Sequence, residues 1–110
     1  MTFDLQVVAQ GSTSIVTVFG DVDVYTAPRF DECLQGLIAD GKTNIAVDLA
    51  NCSYFDSEGI KALIKAIRKR NGQADLIITG ARGIVMRVFE ISGLSTLIKM
   101  LPSLSDLPPS

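Results

Sequence analysis

The run NIAVDLANCSYFDSEGIKALIKAI, residues 44 to 67, changes period part-way along. In its first third Ile45, Val47 and Leu49 alternate with their neighbours, which is the two-residue repeat of a strand. In its last third Ile60, Leu63, Ile64 and Ile67 recur at i, i+3, i+4, i+7, which is the face of an amphipathic helix. Ala50 to Phe55 reads as the connecting loop. Asp56-Ser57-Glu58-Gly59 then stands at the mouth of the helix. A strand that leads through a loop into a helix is half of an αβ unit, so this stretch sets the fold class. A serine at that position is either a helix cap or a group that another protein reads.

The chain on either side repeats the same grammar. Residues 3 to 8 alternate, with Phe3, Leu5 and Val7 on one side. Gln10-Gly11-Ser12 makes a turn, and Ser14 to Phe19 is β-branched and apolar, so the two strands form an antiparallel hairpin. From Thr26 the repeat becomes helical through Ala27, Phe30, Leu34, Leu37 and Ile38. Pro28 lies in the first turn, and Asp40-Gly41 closes the helix. The strand at 44–49 follows that helix, so a right-handed crossover makes it parallel to the second strand. Asn71-Gly72 is expected to stop the next helix. Asp75 to Thr79 reads as a short, fully apolar central strand. Ile84, Val85, Val88 and Ile91 give a third helical stripe ending at Ser92-Gly93, and Thr96 to Met100 gives a last strand. The order is β-β-α-β-α-β-α-β. It predicts an α/β fold with a mixed, mostly parallel sheet of about five strands and helices packed on it. Residues 1–101 form one domain, and 102–110 a Ser/Pro-rich tail that holds one helical turn at most and frays.

Composition narrows the function. The 110 residues are 47% hydrophobic and 20% charged, with a net charge of −2. That suits a folded core and argues against broad nucleic-acid binding, which needs a basic surface. Histidine is absent, which removes the commonest general base and metal ligand. Tryptophan is absent too, so an aromatic platform for bases is not expected. Cys33 and Cys52 lie far apart and match no metal spacing. They read as reduced thiols that pack as small hydrophobes. The first residues carry no basic region and no long apolar run, so the expectation is a cytoplasmic chain with no signal peptide and no membrane span.

In a parallel sheet, ligands and partners meet the carboxyl ends of the strands. Here that edge is expected to collect Asp21 and Asp23 after the second strand, Asp56, Ser57 and Glu58 after the third, and Thr79 after the fourth. Ser57 and Asp56 are both good N-caps, and Glu58 suits the first turn of a helix dipole. Gly59 costs up to about 1 kcal/mol relative to alanine in a helix. It makes sense if something approaches the backbone there, whether a partner or the chain's own loop. Lys61, Lys65, Arg68, Lys69 and Arg70 read as a solvated outer face. A divalent-metal phosphoryl enzyme could in principle use Asp21, Asp23 and Asp56, with Thr79 and Lys99 assisting. The hairpin start and the distance of Asp56 beyond Leu49 argue against it, and no enzyme, cofactor or resident metal is expected.

Three segments taken together resemble the STAS domain, the fold of bacterial anti-sigma factor antagonists. Phe19-Gly20-Asp21-Val22-Asp23 with Ala27 resembles the family's segment after the second strand. Ile45 to Leu49 followed by Phe55-Asp56-Ser57-Glu58-Gly59-Ile60 resembles its strand and D-S-x-G motif. Ile77 to Gly80 with Phe89-Glu90-Ile91-Ser92-Gly93-Leu94 resembles its later strand and helix end. The resemblance implies that Ser57 is phosphorylated by a serine kinase that is also an anti-sigma factor. It implies that the unphosphorylated form binds this kinase and releases the sigma factor, and that a phosphatase resets Ser57. It also implies that Asp23 and Asp56 lie at the partner interface; with their neighbours Asp21, Glu58 and Gly59 they make up the expected partner surface, and no direct contact to nucleic acid is expected. Two other readings stay open: a STAS subunit regulating another signalling complex or a transporter without phosphorylation, and the metal enzyme above. Glu58 stands where many relatives carry Ser or Thr. Pro108-Pro109 cuts short the place of a fourth helix, which is expected to leave one face open or covered by a partner.

Overall fold

Strand β1 (Asp4–Gln10) and strand β2 (Thr13–Phe19) form the expected antiparallel hairpin, with Val7 opposite Val16. The computed structural model describes residues 3–70 and 75–108. After β2 come α1 (Ala27–Ala39), β3 (Ile45–Asn51), α2 (Ser57–Arg70), β4 (Leu76–Thr79), α3 (Gly83–Ser92) and β5 (Lys99–Leu101). Short 3-10 turns cover Leu94–Thr96 and Leu104–Asp106. The sheet order is β1-β2-β3-β4-β5, and every pairing after the hairpin is parallel. This is the mixed, mostly parallel five-stranded sheet with helices on it that the periodicities predict.

The alternation in β3 places Ile45, Val47 and Leu49 in the main core, under the helices. Phe30 of α1, Phe55 of the β3–α2 loop and Phe89 of α3 meet at its centre. The Phe30 and Phe55 rings stand edge to face at 5.9 Å, and Phe55 and Phe89 stack at 5.2 Å. These rings bring three separate elements onto one point, and geometries of this kind add to the area they bury.

Several expectations need correction. β3 continues to Asn51, so part of the expected loop is strand. It is also buried on both faces, because Ala46 and Asp48 on the reverse side are covered as well. The buried face of α3 is Val85 and Phe89, with Val88 partly buried; Ile84 and Ile91 are exposed. The phase is set by Phe89 docking on Phe55, which turns Ile84 and Ile91 outward. The last strand is only Lys99–Leu101, since Leu94–Thr96 is a 3-10 turn. The expected stop at Asn71-Gly72 lies outside the described residues.

The tail, expected to fray, is packed on the sheet as far as Leu107. Leu101, Leu104 and Leu107 pack against Ile15, Ala46 and Ile77 on the face of the sheet away from the helices. Ser103 and Asp106 close a reciprocal capping box that fixes the turn between them. That face, expected to be open or covered by a partner, is therefore covered in part by the chain's own tail.

Candidate functional site: the start of α2 and the loop beside it

Two loops are tied together at the carboxyl ends of β2 and β3. The Val22 N–H donates to the Tyr54 carbonyl at 2.9 Å, and the Asp56 N–H donates to the Val22 carbonyl at 3.2 Å. This isolated Val22–Phe55 bridge seats both apolar side chains in the core. Ser53 adds a hydroxyl bond of 3.0 Å to the Asp21 carboxylate. The bridge sets Asp23 next to Asp56 and Asp21 next to Tyr54, at the loop that leads into the helix carrying Ser57 and Glu58.

Each carboxylate has a local task. One Asp23 carboxylate oxygen accepts from the Tyr25 N–H at 2.9 Å and the Thr26 N–H at 3.1 Å, and this folds the turn that starts α1. The Thr26 hydroxyl reaches back to the Asp21 carbonyl at 2.7 Å. The Asp56 carboxylate accepts from the Glu58 N–H at 2.9 Å, while its carbonyl accepts from the Ile60 N–H at 3.2 Å. Asp56 is therefore the N-cap of α2 and Ser57 is its first helical residue. Capping falls to Asp56 alone, which corrects the reading of Ser57 as a cap. The Ser57 side chain is exposed, and among the described residues its hydroxyl makes no hydrogen bond.

Gly59 is buried, and the chain itself requires a glycine there. A Cβ at this position would lie 2.6 Å from Cε1 and Cζ of Phe55 and 2.9 Å from Cγ1 of Val22. The first turn of α2 rests directly on the Val22–Phe55 bridge, which fixes how Ser57 is presented. Glu58 is half-buried and pairs with Lys61 one turn on at 3.1 Å. Lys65 crosses to Asp31 of α1 at 3.2 Å. Lys61, Lys65, Arg68 and Lys69 are exposed, as expected of an outer helix face.

Thr79 and Lys99 do not join this rim. Thr79 is fully buried and donates its hydroxyl to Asp48 at 2.9 Å, on the tail-covered face. Lys99 is exposed on the edge strand β5. Among the described residues no group of three or more His, Cys, Asp or Glu side chains could hold a metal ion. Cys33 and Cys52 are free thiols, and burial pushes both above the ordinary thiol range. Cys52 also donates to the Tyr54 carbonyl at 3.1 Å, inside the same loop. No helix of the described residues is long and apolar enough to cross a membrane.

Sequence reasoning missed the apolar part of the rim. Val24, Tyr25 and Tyr54 are exposed beside the acidic loop, Tyr25 at 86%. Val24 also lines a groove of about 270 Å³ between the starts of α1 and α2, with Pro28, Asp31, Glu58, Lys61 and Lys65. The available signal was large apolar residues in a loop with no period to bury them.

A family model described as STAS domain matches residues 4–107. The chain belongs to the STAS domain family. Over 99 residues it is 34% identical to the anti-sigma-B factor antagonist of Staphylococcus aureus strain NCTC 8325, covering 89% of this chain and 92% of that one. An anti-sigma factor antagonist from Mycobacterium paratuberculosis superposes with a TM-score of 0.88 at 25% identity, over 96% of this chain and 90% of that one. The phosphorylated form of the Bacillus cell fate determinant SpoIIAA shares the fold, with a TM-score of 0.70 at 21% identity, over 96% of this chain and 95% of that one.

Proposed function

We propose that this STAS domain is an anti-sigma factor antagonist whose binding is switched by phosphorylation of Ser57. The observation that carries the reading is the exposed, unengaged Ser57 hydroxyl at the first turn of α2, held in place by a cap on the neighbouring residue. A kinase can take up such a hydroxyl without breaking any bond of the fold. The unphosphorylated form binds an anti-sigma factor that is also a serine kinase, and the sigma factor is released. A phosphatase acting on phospho-Ser57 restores the binding form. The names of the relatives support the antagonist role.

The partner surface is the rim described above. Val24, Tyr25 and Tyr54 supply apolar area, and Glu58 with the rim carboxylates supplies charge. Aromatic anchors ringed by polar groups are the usual centre of a binding patch. Asp23 and Asp56 act chiefly by shaping the two loops, and Gly59 by letting α2 sit low on Phe55. Phosphate adds about −1.5 to −2 charge at neutral pH. At a helix N-terminus that charge is locally favoured, and Lys61 lies one turn away, so the fold is retained. The added charge and bulk act on the docked partner instead.

The test uses ATP and purified anti-sigma serine kinases. Label should appear on the wild type and vanish in Ser57→Ala, and the phosphoprotein should lose kinase binding while keeping its melting temperature. Kinase binding without label, or label that persists in Ser57→Ala, overturns the switch.

A further inference from the structure

Among the described residues, the outer edge of β1 pairs with no other strand. β1 is an edge strand of seven residues, and it contains no lysine and no proline. Those are common means by which natural sheets blunt an edge. Val7 and Val8 are exposed, at 47% and 56%. Which backbone groups point outward follows from the ladder. The Ser14 N–H bonds the Asn44 carbonyl on the β3 side. Successive residues of a strand aim their amides to opposite edges, so Thr13, Ile15 and Thr17 turn theirs towards β1. Their partners Gln10, Val8 and Gln6 are therefore spent on the hairpin. Leu5, Val7 and Ala9 are left with N–H and C=O groups aimed away from the sheet.

The same three residues face the helices. Leu5 packs against the main core, and Leu5 and Val7 line an open groove of about 380 Å³ beneath α1, with Cys33 and Leu37 in its wall and the charged Arg29, Glu32 and Asp40 also lining it. A strand laid along this edge can thus satisfy the backbone and extend the apolar floor of the groove together.

We propose that β1 pairs with β1 of a second copy of this chain, antiparallel, about a two-fold axis at Val7. In that register Val7 meets Val7 of the second copy, and Leu5 meets Ala9. The outward-facing residues then face one another as hydrogen-bonded pairs. Asp4, the one charged residue of β1, meets the neutral Gln10, so no like charges are opposed within the strand pair. A two-fold contact needs a patch that is its own complement, and this strand is one. The two five-stranded sheets become continuous. The edge lies two strands away from β3, so the start of α2 stays accessible.

Sedimentation equilibrium over a concentration series tests this. The wild type should pass from monomer mass to twice that mass. Val7→Pro should weaken self-association by at least about tenfold. It removes an outward N–H that the hairpin does not use, and prolines are tolerated on such edges. Val7→Lys keeps the N–H and places charge at the axis, so it should weaken the dimer too if the proline variant misfolds. The register is checked in a Cys33→Ser background, where oxidised Val7→Cys should form a covalent dimer and Leu5→Cys should not. A wild type that stays monomeric throughout overturns the proposal. So does a dimer indifferent to both Val7 variants, or equal cross-linking through Leu5→Cys.

Discussion

Two glycines inside helices should respond to alanine with opposite signs. Gly59→Ala places a methyl carbon 2.6 Å from two ring carbons of Phe55 and 2.9 Å from Val22. Carbon pairs normally rest at about 3.5 to 4.0 Å, so the ring must move by nearly an ångström. Phe55 is fully buried and braced by Phe30 and Phe89, and has little free space to move into. Overpacking of this kind costs about 1–3 kcal/mol. The helix gains back up to about 1 kcal/mol from losing its glycine. The expected net is a loss of about 1–2 kcal/mol, or a melting temperature lower by about 5 °C or more. Gly36 is the control. It lies in α1, and nothing stands within 4 Å of where its Cβ would be. Gly36→Ala should therefore stabilise by about 0.5–1 kcal/mol. Urea titration of the two variants beside the wild type reads both values. A Gly59→Ala protein as stable as the wild type, or more so, would refute the claim that the first turn of α2 rests on the Val22–Phe55 bridge.

Asp56→Ala should lose about 1 kcal/mol in the same titration, because the cap of α2 goes with it. Ser57→Ala should stay within about 0.5 kcal/mol, since the hydroxyl bonds nothing among the described residues. Thr79→Val leaves the buried Asp48 carboxylate without its hydroxyl donor and should cost about 1–3 kcal/mol, whereas Thr79→Ser should recover most of it in thermal melts. Burial raises the Cys33 thiol above its ordinary range, so its thiolate forms only at higher pH than that of a free cysteine. Its alkylation by iodoacetamide near pH 8 should be slower than that of a cysteine peptide, and the rate curve should be displaced to higher pH; a rate equal to the peptide's would contradict the burial.

Periodicity was a sound guide wherever one face of an element met the core. The alternation of Ile45, Val47 and Leu49, and the stripe Ile60, Leu63, Ile64 and Ile67, both survive in the structure with their phase intact. It misled in α3, whose sequence is apolar nearly all round, so that counting could not choose between Ile84 and Phe89. A distant ring, Phe55, made that choice. The tail was misread for a related reason. Leu101, Leu104 and Leu107 recur every third residue, a spacing that is not the two-residue repeat of a strand and is too short to read as a helix, yet Leu104 and Leu107 needed only a flat sheet face to land on. At the rim, residue types were enough to single out Asp56 and Ser57 but not to divide cap from free hydroxyl. A one-residue difference in where a helix starts lies below what a pattern resolves.

The docked tail also bears on handling of the protein. Cleavage after Leu101 would remove Leu104 and Leu107 and leave Ile15, Ala46 and Ile77 as one bare apolar strip across three neighbouring strands. Preparations trimmed there by a protease, or expressed with an early stop, would carry a sticky face that the intact chain hides, and could be mistaken for a poorly soluble protein. An affinity tag or fluorescent fusion at this end calls for a spacer beyond Pro108, so that the leucines still reach the strands they cover.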